Sequence, residues 1–266
     1  MNDWKGYDRV ADTYERVRAP LTAAVAADLI ALAEVGPGAR ILDVGTGTGV
    51  AVDAANRVVG SEGLAVGVDI APAMLAVARH ARPGLVLAVA EANQLPFRDA
   101  TFDAVAANFV LQEFKRYDTA LFDLLRVLKP GGRVAASTWT SEEDELQVIW
   151  RSLVEATVGK EMVRSARADA VPWWDRFGAA DTLKDALYDM GLRGIKIERR
   201  AYRFRMVRDD YVAEQGTRAL GRFVHGMLGD RGWDSFEERA RTTFAERFGD
   251  QVEDTRDVLL TVGTKP

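Results

Sequence analysis

The apolar positions between residues 36 and 139 fall into short β-branched runs separated by stretches with helical spacing. Ile41–Val44, Leu64–Val68, Leu85–Ala90, Phe102–Ala107 and Arg133–Thr138 are predicted strands. Val50–Val59, Pro72–Ala81 and Tyr117–Leu128 are predicted helices, with Pro72 suited to a first helical turn. An earlier helix, Leu21–Glu34, follows Pro20 and stops at Gly36-Pro37-Gly38. Strands that are apolar on both faces suit a parallel sheet covered on both sides. Their alternation with helices over short links implies right-handed βαβ units.

Beyond Trp139 the rhythm changes. A long helix is predicted from the acidic start at Glu142 to about Val158, then a loop to Gly178 that holds Pro172-Trp173-Trp174. Asp181–Met190 is a predicted helix, Ile195–Val207 a strand, Asp210–Phe248 mostly helix and Asp257–Val262 a last strand. In the 195–207 strand the apolar phase shifts: Ile195 and Ile197 share one face, Tyr202, Phe204 and Met206 the other. A bulge or bend near Arg199–Arg200 is expected. With no repeat or low-complexity linker, residues 1–266 are expected to form one domain.

Composition narrows the partners. A net charge of −5 argues against broad nucleic-acid binding, which rests on basic surface. The absence of cysteine excludes disulfides and thiolate metal sites. The first twenty residues lack the apolar run of a signal peptide, and no stretch approaches the roughly 20 apolar residues of a membrane span. A soluble, cytoplasmic protein without nucleic-acid or membrane partners is expected; a homodimer is left open.

The strongest local signal is R-I-L-D-V-G-T-G-T-G-V, Arg40 to Val50, followed by V-G-V-D-I ending at Asp69 and Ile70. A strand, a glycine-rich turn, a helix and a second strand ending in an acid together form a nucleoside crevice at the carboxyl ends of parallel strands. Val50 stands where a dinucleotide fingerprint needs a small residue. Instead Gly45, Gly47 and Gly49 alternate behind Asp43. Glycine at 45 and 47 lets the backbone approach a ligand that a Cβ would displace, and amides of the turn can meet an anionic group.

This stretch, with E-A-N-Q-L-P-F-R-D-A-T-F-D (Glu91–Asp103) and L-L-R-V-L-K-P-G-G-R-V (Leu124–Val134), resembles the class I S-adenosylmethionine-dependent methyltransferases of the small-molecule, quinone C-methyltransferase-like branch. The resemblance is close from about Tyr7 to Thr138 and loose beyond. It implies an α/β, Rossmann-like, seven-stranded, mostly parallel sheet flanked by helices, with a helical cap over the acceptor. Residues 36–139 would hold the cofactor; 1–35, 140–180 and 209–250 would supply cap and acceptor elements. It implies S-adenosylmethionine as cofactor and S-adenosylhomocysteine as product. Asp43 would accept from the methionine ammonium, beside Gly45, Thr46 and Gly47. Asp69 would accept the ribose hydroxyls, and Ile70 and Met74 would wall the adenine. Glu91, where relatives carry Asp, and Ala92 would flank the adenine amino group. Asn108 would lie by the donor methyl, and Tyr7, in an amino-terminal cap that also carries Tyr14, by the methionine end.

Methyl transfer from a sulfonium is an in-line displacement, helped mainly by holding the nucleophile about 3–3.5 Å from the methyl carbon in a dry pocket. Where many relatives carry a histidine pair after the fourth strand, this chain has Gln112 and Glu113, so these and His225 are the catalytic candidates. Phe109, Gln112, Trp139, Trp173, Trp174 and His225 are the candidates for contacting a small, largely apolar acceptor. Lys129-Pro130-Gly131-Gly132 is read as a structural turn and Asp103 as a backbone orienter. The arginines between Arg193 and Arg208 read as a solvated strand edge, with an anionic-acceptor pocket as the sharper alternative. No metal spacing is present. Two competing functions stay open: a macromolecule methyltransferase, and a cyclase or binding module of the same fold that transfers no methyl.

Overall fold

The computed structural model describes residues 3–266, with side chains from Gly6 onward. Seven strands form one sheet in the order β3-β2-β1-β4-β5-β7-β6. They are β1 (Arg40–Val44), β2 (Leu64–Asp69), β3 (Val86–Val89), β4 (Phe102–Asn108), β5 (Leu128–Trp139), β6 (Arg193–Val207) and β7 (Gln251–Thr264). The first five run parallel, and β7 is antiparallel to both β5 and β6. The sheet is the Rossmann-like, mostly parallel one expected. Strand order reverses at β1, which has β2 on one side and β4 on the other, so a crevice opens at their carboxyl ends.

A 3₁₀ turn at Asp3–Arg9, a short α1 (Ala11–Thr13) and a π-helical turn at Tyr14–Arg18 lead into α2 (Ala19–Leu32). The βα units supply α3 (Val50–Val59), α4 (Pro72–Ala81) and α5 (Tyr117–Val127). The remaining helices are α6 (Glu145–Val158), α7 (Lys160–Ala170), α8 (Trp174–Phe177), α9 (Ala180–Asp189), α10 (Arg208–Thr217) and α11 (Ala219–Arg247), the last kinked at Gly229. Side-chain alternation along the strands separates two cores. Leu42, Val44, Val105 and Ala107 pack with Leu121 and Leu124 of α5 and Leu183 of α9. Ile41, Ala104 and Ala106 pack on the other face with Val25 and Leu29 of α2 and Val52 of α3. A third cluster, away from the parallel strands, joins Trp150 of α6, Val163 of α7, Tyr211 of α10 and Trp233 and Phe236 of α11.

Three sequence expectations change. Residues 160–170, read as loop, form α7; only Val163 and Ala166 of this polar helix are buried, too few to show an apolar period. The bulge expected near Arg199–Arg200 is absent: β6 pairs with β7 in unbroken register from Lys196 to Val207, and the irregularity lies between Arg193 and Lys196. The apolar phase shifts because Ile195 and Ile197 meet the first core while Tyr202 and Phe204 meet the second. Lys129-Pro130-Gly131-Gly132 bulges within β5 rather than preceding it, because the partner register jumps there. Lys129 Nζ donates to Asp103 Oδ1 at 2.6 Å, and the Arg40 amide donates to Asp103 Oδ2 at 2.9 Å.

Close packing in β2 carries a test. A Cβ on Gly67 would lie 2.7 Å from Thr46 Oγ1 and 2.8 Å from Leu87 Cδ2. Gly67→Ala is expected to destabilise the protein by about 1–3 kcal/mol, seen as a lower urea midpoint with an unchanged slope. An unchanged midpoint would show that the turn above β2 tolerates the extra carbon.

Candidate functional site

The turn after β1 is shaped by three glycines in the left-handed region, with φ of 69°, 54° and 93° at Gly45, Gly47 and Gly49. A Cβ on Gly45 would sit 2.4 Å from Val110 Cγ2, and one on Gly47 would lie 3.4 Å from Met74 Cε. The crowding at Gly45 therefore comes from the chain itself, not from ligand space as expected. The amides expected to be free are also engaged. Gly45 and Thr46 donate to the Val68 carbonyl at 2.8 and 2.9 Å, and Gly49 donates to the Thr46 carbonyl at 2.8 Å. Gly47 donates to Asp69 Oδ2 at 2.8 Å, while Ala71 donates to Asp69 Oδ1 at 2.9 Å.

Burial pushes the Asp69 carboxyl up to about 6, against the Ala71 and Gly47 amides, which favour its charged form. Asp43 is fully buried beneath the turn, where Thr46 Oγ1 donates to its Oδ2 at 2.6 Å. Burial raises Asp43 to about 7, with the Thr46 hydroxyl and Val52 amide opposing.

A cavity of about 460 Å³ starts at this turn. Gly45, Gly47, Asp69, Ile70 and Met74 line one end, with Glu91 and Ala92 beside them. Glu91 is exposed, at the rim. Asp43 and Thr46 do not line the cavity; they lie under the turn and hold its shape. Tyr7 and Tyr14 cover this end, packed edge to face with centroids 6.4 Å apart.

Asn108 and Phe109 carry the cavity past β4. Asn108 Oδ1 accepts from Ser137 Oγ at 2.7 Å, and Ser137 Oγ accepts from the Phe109 amide at 3.0 Å. Phe109 holds φ of 58°, a conformation costly for a side chain larger than glycine. It stacks on Trp139 with centroids 4.0 Å apart. Glu113 also lines the cavity, with both carboxylate oxygens accepting from Tyr7 Oη at 2.8 and 2.7 Å. Burial, and then Glu113, push the Tyr7 phenol well above its ordinary range against Arg222, so Tyr7 remains a neutral donor. The Arg222 guanidinium carbon lies 3.8 Å from the centre of the Tyr7 ring.

The other predicted acceptor residues divide. Trp139 and Trp174 line the cavity; Trp173 does not, packing instead edge to face on Tyr117 at 4.5 Å. Gln112 lines the cavity, but its amide is occupied: Nε2 donates to the Trp139 carbonyl at 3.1 Å, and Oε1 accepts from the Trp139 amide at 3.2 Å. It clamps the end of β5 and has no acid–base use. His225 is absent from the lining; its ring stacks on Trp233 at 5.0 Å and Nε2 lies 3.0 Å from Asp230 Oδ1. Trp233 and Asp230, both further along α11, take up the imidazole, so it contributes nothing to the cavity wall.

Sequence reasoning missed four arginines of the cavity wall: Arg18, beside Tyr14, and Arg218, Arg222 and Arg256 at the far end. One signal was available. In V-E-D-T-R-D-V, Val252, Asp254, Arg256 and Val258 are the buried residues, so a charged pair occupies the inward face of β7. The arginines between Arg193 and Arg208, which the sequence singled out, do not line the cavity. Among the described residues no group of three or more His, Asp or Glu could hold a metal, and no helix is long and apolar enough to cross a membrane.

Residues 42–136 match the family model described as a methyltransferase domain. The chain is 47% identical over 100 residues to demethylmenaquinone methyltransferase of Thermus thermophilus, covering 36% of this chain and 44% of that protein. It is 36% identical over 155 residues to malonyl-[acyl-carrier protein] O-methyltransferase of Methylococcus capsulatus, covering 56% of this chain and 53% of that protein. The chain thus spans about half the length of the curated relatives it matches. Its fold is similar to that of Haemonchus contortus phosphoethanolamine N-methyltransferase 2, solved with S-adenosylhomocysteine, at a TM-score of 0.59 and 18% identity over 97% of this chain and 57% of that one.

The buried Asp43 makes stability depend on pH. An acid whose folded pKa lies above its unfolded value binds more protons when folded, so stability falls as pH rises from about 3.8 through about 7. Asp43→Asn is expected to flatten that part of the stability–pH curve, measured by urea denaturation across the window. A curve parallel to wild type would show that Asp43 ionises as an ordinary surface acid.

Proposed function

With residues 42–136 read as a methyltransferase domain, we propose that the protein transfers a methyl group from S-adenosylmethionine to a small molecule. The observation that carries the reading is the Gly47–Asp69 tie at the mouth of a single cavity that continues past Phe109 and Trp139. The donor set fits the cofactor. Asp69 keeps lone pairs for two ribose hydroxyls, and Ile70 and Met74 offer an apolar shelf for the adenine, with Glu91 and Ala92 at its edge. The Gly45, Thr46, Gly47 and Gly49 amides are engaged within the protein, so the methionine carboxylate falls to Arg18, which lines the cavity near Tyr14 with its guanidinium carbon 5.6 Å from that ring. Asp43 and Thr46 act as positioning residues that fix the turn. When bound, the cofactor supplies an electrophilic methyl on a sulfonium.

Residues 36–139 form the cofactor part, and 1–35, 140–180 and 209–250 the cap and acceptor part. Asn108, Phe109 and Trp139 exclude water and orient the acceptor between them. Glu113, fixed by Tyr7, is the group placed to take a proton from an acceptor that must lose one. The acidic balance of the chain supports a small-molecule rather than a nucleic-acid partner.

The reading predicts that S-adenosylhomocysteine binds the wild-type protein in calorimetry and that Asp69→Asn weakens binding about 10–100-fold, through the loss of charge-assisted bonds to the ribose. Equal affinity in the two proteins would contradict the assignment of Asp69.

A further inference from the structure

The cavity has a second chemistry at the end away from Asp69. Arg218 and Arg256 line it, with Arg222 one helical turn from Arg218. The Arg222 and Arg256 side chains are only 2% and 7% exposed. The carboxylates that hold this group, Glu214 and Asp254, are each 1% exposed and are absent from the cavity lining. They border a narrow gap behind it with Arg18 and Arg218. Arg218 Nε donates to Glu214 Oε2 at 2.8 Å, and Arg256 Nε donates to Asp254 Oδ1 at 2.9 Å. Arg18 also donates to Glu214, and Arg218 Nη2 lies 3.7 Å from Asp254. The carboxylates lie outside the cavity wall that these arginines form; Arg218, 20% exposed, presents the most surface to it, and the Gln147 amide oxygen accepts from Arg256 Nη1 at 3.0 Å.

These pairs are shared, and a third acid stands beside them. Glu214 and Asp254 serve three guanidiniums, those of Arg18, Arg218 and Arg256. Asp144 lies against Asp254 and is pushed up to about 6 by burial and, after the opposing Gln147 amide, by Asp254. Arg222 Nη1 donates to the Thr217 carbonyl at 2.7 Å, and its Nη2 stands 4.0 Å from Glu113 Oε2. The more distant Arg151 and Arg167 of the lining are answered by Glu143. Burial, followed by Arg256 and Arg18, depresses the Arg218 guanidinium below its ordinary range despite Glu214 and Asp254. A buried guanidinium is costly unless matched, and its planar fork fits a carboxylate or phosphate bidentately. Arg218 also caps α11, whose first residues Ala219 and Leu220 line the cavity, so the positive end of that helix points the same way. Trp139, stacked on Phe109, lies between this end and Asn108, with the Arg256 guanidinium carbon 5.3 Å from its ring.

We propose that Arg218 and Arg256, flanked by Arg222, seat an anionic group of the methyl acceptor, a carboxylate or a phosphate monoester, while Trp139 and Phe109 hold its apolar body. This rests on the methyltransferase reading above and replaces the expectation of a largely apolar acceptor. The site acts in specificity: it orients one end of the acceptor so that the other reaches the methyl donor.

The test is calorimetry on the full chain saturated with S-adenosylhomocysteine, so that the cofactor's own carboxylate is already seated. Cinnamate, its neutral isostere cinnamamide, and phenyl phosphate are titrated in turn. The proposal predicts that at least one of the two anions binds about tenfold or more tightly than cinnamamide, the tighter anion identifying carboxylate or phosphate as the source. It predicts that Arg218→Gln removes the preference while S-adenosylhomocysteine affinity stays unchanged, and that Arg218→Lys keeps part of it. Equal binding of the three probes to wild type, or no binding of either anion, would overturn the proposal, whatever the stability of the variants. Failure of S-adenosylhomocysteine to bind would instead overturn the methyltransferase reading, which separates the two.

Discussion

One half-buried carboxylate ties the ends of two neighbouring strands together. Asp69 closes β2, takes the Gly47 amide from the turn after β1 with one oxygen, and takes the Ala71 amide at the start of α4 with the other. Burial works against its charge, and the two amides offset part of that cost. For Gly47 to reach Asp69 the turn must run through left-handed conformations, which glycine adopts freely. It must also lie close on β2, which the bare Gly67 permits. The shape of the turn, the height of α3 and the opening of the cavity all follow from this contact.

The two halves of the cavity are built by different means. Near Asp69 the walls are main chain and apolar side chains, set by the parallel strands and their register. Beyond Phe109 they are guanidiniums from β7 and the start of α11, with aromatic rings from β5, α6 and α8. Tyr7 joins the halves: it donates to Glu113 after β4 and lies under Arg222 of α11. A hydrogen bond and a stacked cation therefore hold the amino-terminal cap to both sides of the cavity, and a displacement of the cap would expose both.

The sheet was legible because strands buried on both faces leave nearly continuous apolar runs, and glycine and proline mark where they stop. Val50–Val59 and Pro72–Ala81 fall where the pattern places them. The polar α7 left no such signal, since two small apolar contacts suffice to hold it. Asp69 and the glycines were readable because backbone conformation restricts residue type there, although the turn amides proved to serve the protein itself. The arginine end was not readable from spacing. Arginine is usually solvated, and here burial depends on Glu214 and Asp254, which reach the same place from separate elements. His225 is a candidate only through its place in the carboxyl-terminal helices expected to cover the acceptor, and its ring stacks on Trp233 instead.

In the function proposed above, one continuous cavity passes a methyl group from its glycine-turn end to an acceptor at its arginine end. Incubation of the protein with methyl-labelled S-adenosylmethionine and a panel of small carboxylates, phosphate monoesters and their neutral counterparts tests it most directly. Label is expected in an anionic product together with released S-adenosylhomocysteine. Cofactor bound with no label leaving it for any anionic acceptor, or label passing only to neutral ones, would contradict it.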